Sequence, residues 1–169
     1  MALKTHVLAT IGEGGLILTV GGVGWAAHMP LLFASLGPTA YELVEKPNTP
    51  SAKAYNIIVG HFIALGAGFF ALWALHAWNS PKVTVAELVS SRRLWAALLA
   101  VVITTAATLA LKASQPASLS TSLLVSLGSM QTGRGALAII IGVLLLAALG
   151  KPLRRYFQPL KPEKSSGSS

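Results

Sequence analysis

The side chains able to do chemistry in this chain are few, and most fall in two clusters. Ser35, Gly37, Pro38 and Thr39 form one; Ser114, Gln115, Pro116, Ser118 and Thr121 form the other. In each, a Ser stands shortly before a Pro, within or beside an apolar stretch. Pro is favoured at the first helical position because a helix start leaves that N–H unpaired anyway. A neighbouring Ser or Gln can accept from the N–H groups that follow. Each cluster therefore predicts a half-helix that begins inside the protein. A helix N-terminus presents free N–H donors and a partial positive charge, so two of them predict an anion site. Hydroxyls at Ser35, Thr39, Ser118, Ser120, Thr121 and Ser122 add donors. The alternative is two Pro-kinked structural turns capped by their own side chains.

Two ionisable residues lie within long apolar runs, where such groups are costly and often functional. His61 is read as a donor to the anion or a proton carrier, or else as a neutral ring bonded to a backbone carbonyl. Glu13 lies about two turns into its run. A fixed carboxylate would repel an anion, so its functional reading is proton coupling; its structural reading is an interior or interfacial Glu. His28 and His76 stand at segment ends and read as interfacial. No enzyme is expected. The chain has no Asp, no H-E-x-x-H, no G-x-S-x-G and no P-loop. The Gly-rich stretch at 12–15 lacks the register of a dinucleotide site. With no Cys, disulfides and thiol-based metal centres are excluded, and no metal or cofactor is expected.

The elements that hold these residues are set by composition. Of 169 residues, 53% are hydrophobic and 11% charged, less than half the charge of a soluble domain, about 25%. Thirteen Lys and Arg against five Glu leave a net charge of +8. The cations are scattered singly or in pairs between apolar runs, so nucleic acid is not the expected partner. The bias is that of a membrane protein with its positive loops inside.

Four stretches approach the ~20 apolar residues of a membrane span: about 6–27, 54–78, 94–111 and 135–149. Two shorter Pro-containing pieces lie between them, 29–44 and 116–127. The order is long, short, long, twice over, which predicts a pseudo-repeat of two halves, about 6–78 and 93–150, meeting near 87–93. The reading is an all-α polytopic membrane bundle. It comprises a single membrane domain over 1–158 and a disordered tail over 159–169. Segment length favours re-entrant short pieces and four crossings; full passage would give six crossings and inverted halves. Cation counts agree with both and place both termini in the cytoplasm. Trp25, Trp78 and Trp95 fall near segment ends, as interfacial aromatics do, whereas Trp73 suits internal packing. Gly60, Ala64 and Gly68, and then Ala96, Ala100, Thr104 and Thr108, form small-residue stripes suited to close helix packing.

The two clusters also carry a family resemblance. Leu36-Gly37-Pro38-Thr39-Ala40-Tyr41, a Pro-containing loop over 47–52, and Tyr55-Asn56-Ile57-Ile58-Val59-Gly60-His61 resemble the first block of the HPP family of small integral membrane proteins. Gln115-Pro116-Ala117-Ser118, continuing to Val125-Ser126-Leu127-Gly128, is similar to its second block. Here the name-giving His-Pro-Pro stands as Gln115-Pro116-Ala117, and Leu119 replaces a Gly, so a His-dependent step at that place is lost or moved. The resemblance implies a four-span protein, with some members linked to nitrite transport. The expectation is a bacterial inner (plasma) membrane transporter or channel for a compact inorganic anion such as nitrite. It would be bound at the paired helix N-termini and work as a homo-oligomer in the bilayer. The rival is a non-transporting membrane protein that assembles with a partner.

Overall fold

The computed structural model describes residues 2–83 and 88–160, with side chains from Lys4 onward. Part of the expected junction between halves, and nearly all of the expected tail, lie outside the described residues. Six α-helices are described: α1 (Ala2–Ala26), α2 (Leu36–Glu45), α3 (Ala54–Ala74), α4 (Ser91–Ala110), α5 (Ala117–Ser126) and α6 (Gly133–Phe157). A 3-10 turn, Pro50–Ala52, precedes α3. α1, α3, α4 and α6 are long and apolar enough to cross a membrane, so the chain is an integral membrane helical bundle.

Local chemistry sets the helix ends. Ser90 and Thr132 cap α4 and α6 by accepting from the N–H groups of Arg93 and Gly135. α1, α3 and α4 stop in one common way. His28, His76 and Lys112 take φ of 51°, 47° and 51°, and the next residue donates back five positions, as Met29 N–H to Gly24 O, Ala77 N–H to Leu72 O and Ala113 N–H to Thr108 O. This is the Schellman turn, which returns the chain toward the bundle. The small-residue stripes of α3 and α4 are buried, and that of α3 packs at Gly60 and Gly68 against α5 and the residues just before it. Trp73 does not pack inside; it is exposed and lies beside Phe70.

The short pieces cross the bundle, contrary to the re-entrance that their length favoured. Met29 bonds to Gly24 at the end of α1. Leu43 meets Gly150, Val44 packs with Ala9 and Phe157, and Glu45 pairs with His6 at 3.7 Å. Residues 29–45 therefore run back along α1 from Gly24 to His6, about 27 Å at 1.5 Å per residue. Ten helical residues cover only about half of that. The rest is an irregular leg, in which Leu31, Phe33 and Ser35 are buried while Leu32 and Ala34 are exposed, the two-residue alternation of extended chain. Extended chain rises about twice as fast per residue as helix, so a span too short for a helix suffices. α5 likewise begins beside Gly60 and ends where Arg93, near the start of α4, meets Ser126.

Six crossings make the halves inverted, and the packing shows their register. α1·α2 matches α4·α5, α2·α6 matches α5·α3, and α1·α6 matches α4·α3. Gly60 and Gly68 of α3 abut Ala113, Gln115 and Val125; Gly142 and Gly150 of α6 abut Leu31, Phe33 and Leu43. One offset, 82 residues, relates Gly60 to Gly142, Gly68 to Gly150, Leu31 to Ala113, Phe33 to Gln115 and Leu43 to Val125. Each half thus lays its irregular leg against a glycine of the other half's third helix.

The six-crossing path puts residues near Lys46 and Lys112 at the α1-start end and Lys82 at the opposite end. The chain has no Cys, so single-cysteine variants report sidedness directly. Lys46→Cys and Lys112→Cys should react with an impermeant maleimide from the same side as Lys151→Cys, and Lys82→Cys from the other. Four crossings would instead put Lys82 on the Lys151 side, with Lys46 and Lys112 opposite. A Cβ at Gly68 would lie 2.7 Å from Val125 Cβ and 3.2 Å from Ser122 O. Gly68→Ala should therefore cost about 1–3 kcal/mol by overpacking, read as a lower thermal midpoint in detergent; an unchanged midpoint would refute the tight α3–α5 contact.

Candidate functional site

At the start of α2, midway across the bundle, four side chains from three helices close a polar ring. Ser35 Oγ lies 2.7 Å from Thr121 Oγ1, and Thr121 Oγ1 lies 2.8 Å from His61 Nδ1. His61 Nε2 lies 3.2 Å from Thr39 Oγ1, which donates at 2.9 Å to Ser35 O. All four residues are buried, His61 at 1% exposure. Ser35 precedes α2 but does not cap it; its hydroxyl is turned to Thr121 instead. Thr39 and Thr121 stand at the same 82-residue offset as the packing glycines. The two halves therefore each supply one equivalent Thr, and the pair clasps a single imidazole.

One carbonyl fixes the direction of every proton in this ring. Ser35 O can only accept, so the Thr39 proton points to it. Thr39 Oγ1 must then accept from His61, which puts the proton on Nε2 and leaves Nδ1 an acceptor. Thr121 donates to Nδ1 and accepts from Ser35. The opposite order would set Thr39 Oγ1 against Ser35 O at 2.9 Å with no proton between them, and strand the Ser35 proton. The ring is a closed circuit of four donors and four acceptors around a neutral His61.

The other expected residues lie around this ring or apart from it. Gln115 is buried beside Gly60, the residue before His61. Its Oε1 caps α5 by accepting from Ala117 N–H at 3.0 Å, and its backbone O accepts from Ser118 Oγ at 2.6 Å. Leu36, Ser118 and Leu119 N–H groups are also bonded to nearby carbonyls. The helix starts thus spend these donors on the protein itself, mostly on backbone carbonyls. Gly37 is half-buried, and Pro38, Ser114 and Pro116 are exposed. Ser114 contributes its carbonyl, which accepts from Asn56 Nδ2 at 3.1 Å. Glu13 lies on the outer side of α1, in a groove with Thr10, Ile17, Leu18 and Trp25, away from the ring.

Two residues were not read from the sequence. Glu42, one turn beyond Thr39 on α2, interacts with Ser51 and Gln115, while its Oε2 is buried without a hydrogen-bond partner among the described residues; its place near the end of a short segment disguised it as an interfacial acid. The spacing of Thr39 and Glu42, one helical turn, was the available signal. Arg93 read as an orientation charge at a segment end, yet it is fully buried. Its guanidinium donates to the carbonyls of Ser80 (2.8 Å), Ser126 (3.0 Å), Pro81 (3.4 Å) and Trp78 (3.5 Å), and to Gln131 Oε1 (2.7 Å). Ser126 ends α5, so the negative end of that helix helps to offset the cation. Gly128, at φ 96°, leaves room for Arg93, whose Nη2 would lie 2.9 Å from a Cβ there.

The model of the HPP transmembrane region matches residues 1–156. No curated protein and no solved structure matches the chain.

Arg93 ties the 78–81 loop, the end of α5 and Gln131 together with geometry that a Lys cannot copy. Arg93→Lys should lower stability by about 2 kcal/mol or more, measured as reduced thermal stability in detergent. Equal stability would mean that charge alone, not the fan of bonds, is needed there.

Proposed function

The chain belongs to the HPP transmembrane family, and from that premise we propose that it is a transporter for a compact inorganic anion, with nitrite the first candidate. The observation that carries this reading is the pair of repeat-equivalent threonines, Thr39 and Thr121, bonded to one buried His61. Inverted repeats that meet at a mid-depth site are a recurring transporter plan. The ring takes the place of the helix starts as the source of donors, because Gln115 already caps α5. Since every ring proton is engaged at rest, an ion enters only by displacing a ring bond. That suits a gated carrier better than an open pore.

The proposed setting is a bacterial plasma membrane with both termini cytoplasmic. Lys4, Lys46, Lys53, Lys112, Lys151, Arg154 and Arg155 lie at the end that holds the start of α1, against Lys82, Arg92, Arg93 and Arg134 at the other. This is the positive-inside pattern. Assembly of several copies through α1 is supported by its exposed Ile11, Leu18 and Trp25 around the half-buried Glu13, since an acid on a lipid-facing surface is costly. The second reading is a non-transporting membrane protein that assembles with a partner. A saturated ring favours it too, because a purely structural core would show the same complete bonding.

Reconstitution separates the two. Vesicles carrying the protein should take up nitrite faster than protein-free vesicles at the same pH. His61→Gln and Thr121→Val should each lower the protein-dependent rate about tenfold, a loss of ~1.4 kcal/mol, without loss of folded protein. Flux equal to protein-free vesicles, with a stoichiometric partner purified from native membrane, would establish the second reading instead.

A further inference from the structure

We propose that His61 takes up one proton together with each monoanion bound, making the ring an electroneutral proton–anion site. This rests on the anion reading above and adds its energy coupling. The argument starts from the donor count. The neutral ring is complete, with four donors and four acceptors. A proton arriving at Nδ1 adds a donor and removes an acceptor.

The two threonines can absorb that change. Thr39 already shows how: its oxygen accepts from the imidazole while its proton goes to the carbonyl four residues back, Ser35 O. Thr121 can do the same with Ala117 O, the carbonyl four residues back and the repeat equivalent of Ser35 O. Both N–H groups of an imidazolium are then held by equivalent threonine oxygens. Thr121 Oγ1 then accepts from Nδ1, and the Ser35 hydroxyl, until then the donor to Thr121, is free to turn to an incoming anion instead. The repeat symmetry is broken at this one point, because the equivalent of Ser35 is Ala117, which has no hydroxyl.

The imidazolium then needs a counter-charge, since an uncompensated charge at this depth is costly. The elements packed around His61 do not supply one. α5 has no titratable residue; α4 between Arg93 and Ala110, and α6 between Arg134 and Lys151, have none either. The Pro50–Ala52 turn has none, and Lys53 beyond it is a cation. α2 carries Tyr41, which is exposed, and Glu45, which pairs with His6 at the bundle end. It also carries Glu42, whose interactions are with Ser51 and Gln115 rather than His61, although its Oε2 is buried without a hydrogen-bond partner among the described residues. A monoanion that accepts from the freed Ser35 hydroxyl supplies the missing charge. The step transfers a proton from the aqueous phase to Nδ1 and reorients hydroxyls; no bond between heavy atoms breaks. Proton and anion each raise the other's affinity.

The test is nitrite binding by the purified full-length chain in detergent, measured calorimetrically in buffers of different ionisation enthalpy. The expected result is uptake of about one proton per nitrite, with affinity falling about tenfold per pH unit on the alkaline side. His61→Gln should bind with no proton uptake and no such slope. Ser35→Ala should keep the proton uptake and weaken binding about tenfold, which covers the case in which His61→Gln fails to fold. Nitrogen NMR of labelled His61 without anion should show the Nε2–H form, and nitrite should convert it to the doubly protonated form. Nitrite binding without proton uptake would overturn this inference and leave the anion reading standing. No nitrite binding between about pH 5 and 8 would overturn both.

Discussion

Inside a bilayer a polar backbone group must find its partner in the protein, because the hydrocarbon offers none. Helices meet this demand internally, so the structure turns on the two places where the chain crosses without being helical throughout. The first leg bonds within itself, Leu31 N–H to Met29 O and Leu36 N–H to Phe33 O. It shields its carbonyls against α6, where Gly142 lets Leu31 O approach within 3.1 Å of a Cβ position. The second leg is closed by a side chain, Gln115, which caps α5 and reaches Ser51 O. Because each leg is sheltered by the other half, neither half could bury its own irregular segment alone. The interlock is a consequence of backbone solvation before it is a feature of function.

The ring occupies the place that this interlock creates. A helix that begins at mid-depth brings Ser35 and Thr39 to the other half's Thr121, with His61 of α3 between them. Repeat symmetry alone would make the two sides of the imidazole alike. The Thr39–Ser35 O bond and the single extra hydroxyl at Ser35 make them unlike, and one acceptor-only atom then orders four protons. Such a circuit is held firmly in its neutral form, yet it is sensitive to one added proton, since each hydroxyl can reverse without moving a heavy atom far.

Much of this was legible in the sequence, for identifiable reasons. The long helices stand out because about twenty apolar residues have few other uses. Ser35, Thr39, His61 and Thr121 stand out as hydroxyl and imidazole groups in or beside apolar runs. The crossings were not legible, because length was judged as if all of residues 29–44 were helical, and extended chain covers the same distance in fewer residues. The register between halves was hidden as well. Gly60 with Gly142 and Gly68 with Gly150 are identities, but Phe33 with Gln115 and Leu43 with Val125 are not. The equivalence lies in contact geometry, which residue identity does not record. Arg93 was misread because a position near a helix start looks solvent-facing until the 78–81 loop is folded over it.

The scarcity of acids gives the two buried cationic sites different characters. Arg93 is offset by oriented carbonyls, the end of α5 among them, and its charge is permanent, so its solution is structural and always in place. His61 can be neutral, and its partners are hydroxyls, which serve as donors or acceptors equally well. A resident carboxylate against His61 would fix the imidazolium and take the place that an anion would fill. The chain has Glu42 only one turn from Thr39, and that carboxylate interacts with Gln115 and Ser51 rather than with His61. Keeping that acid's bonds away from His61 leaves the ring uncharged at rest, so that a charge acquired there calls for a counter-charge from what binds.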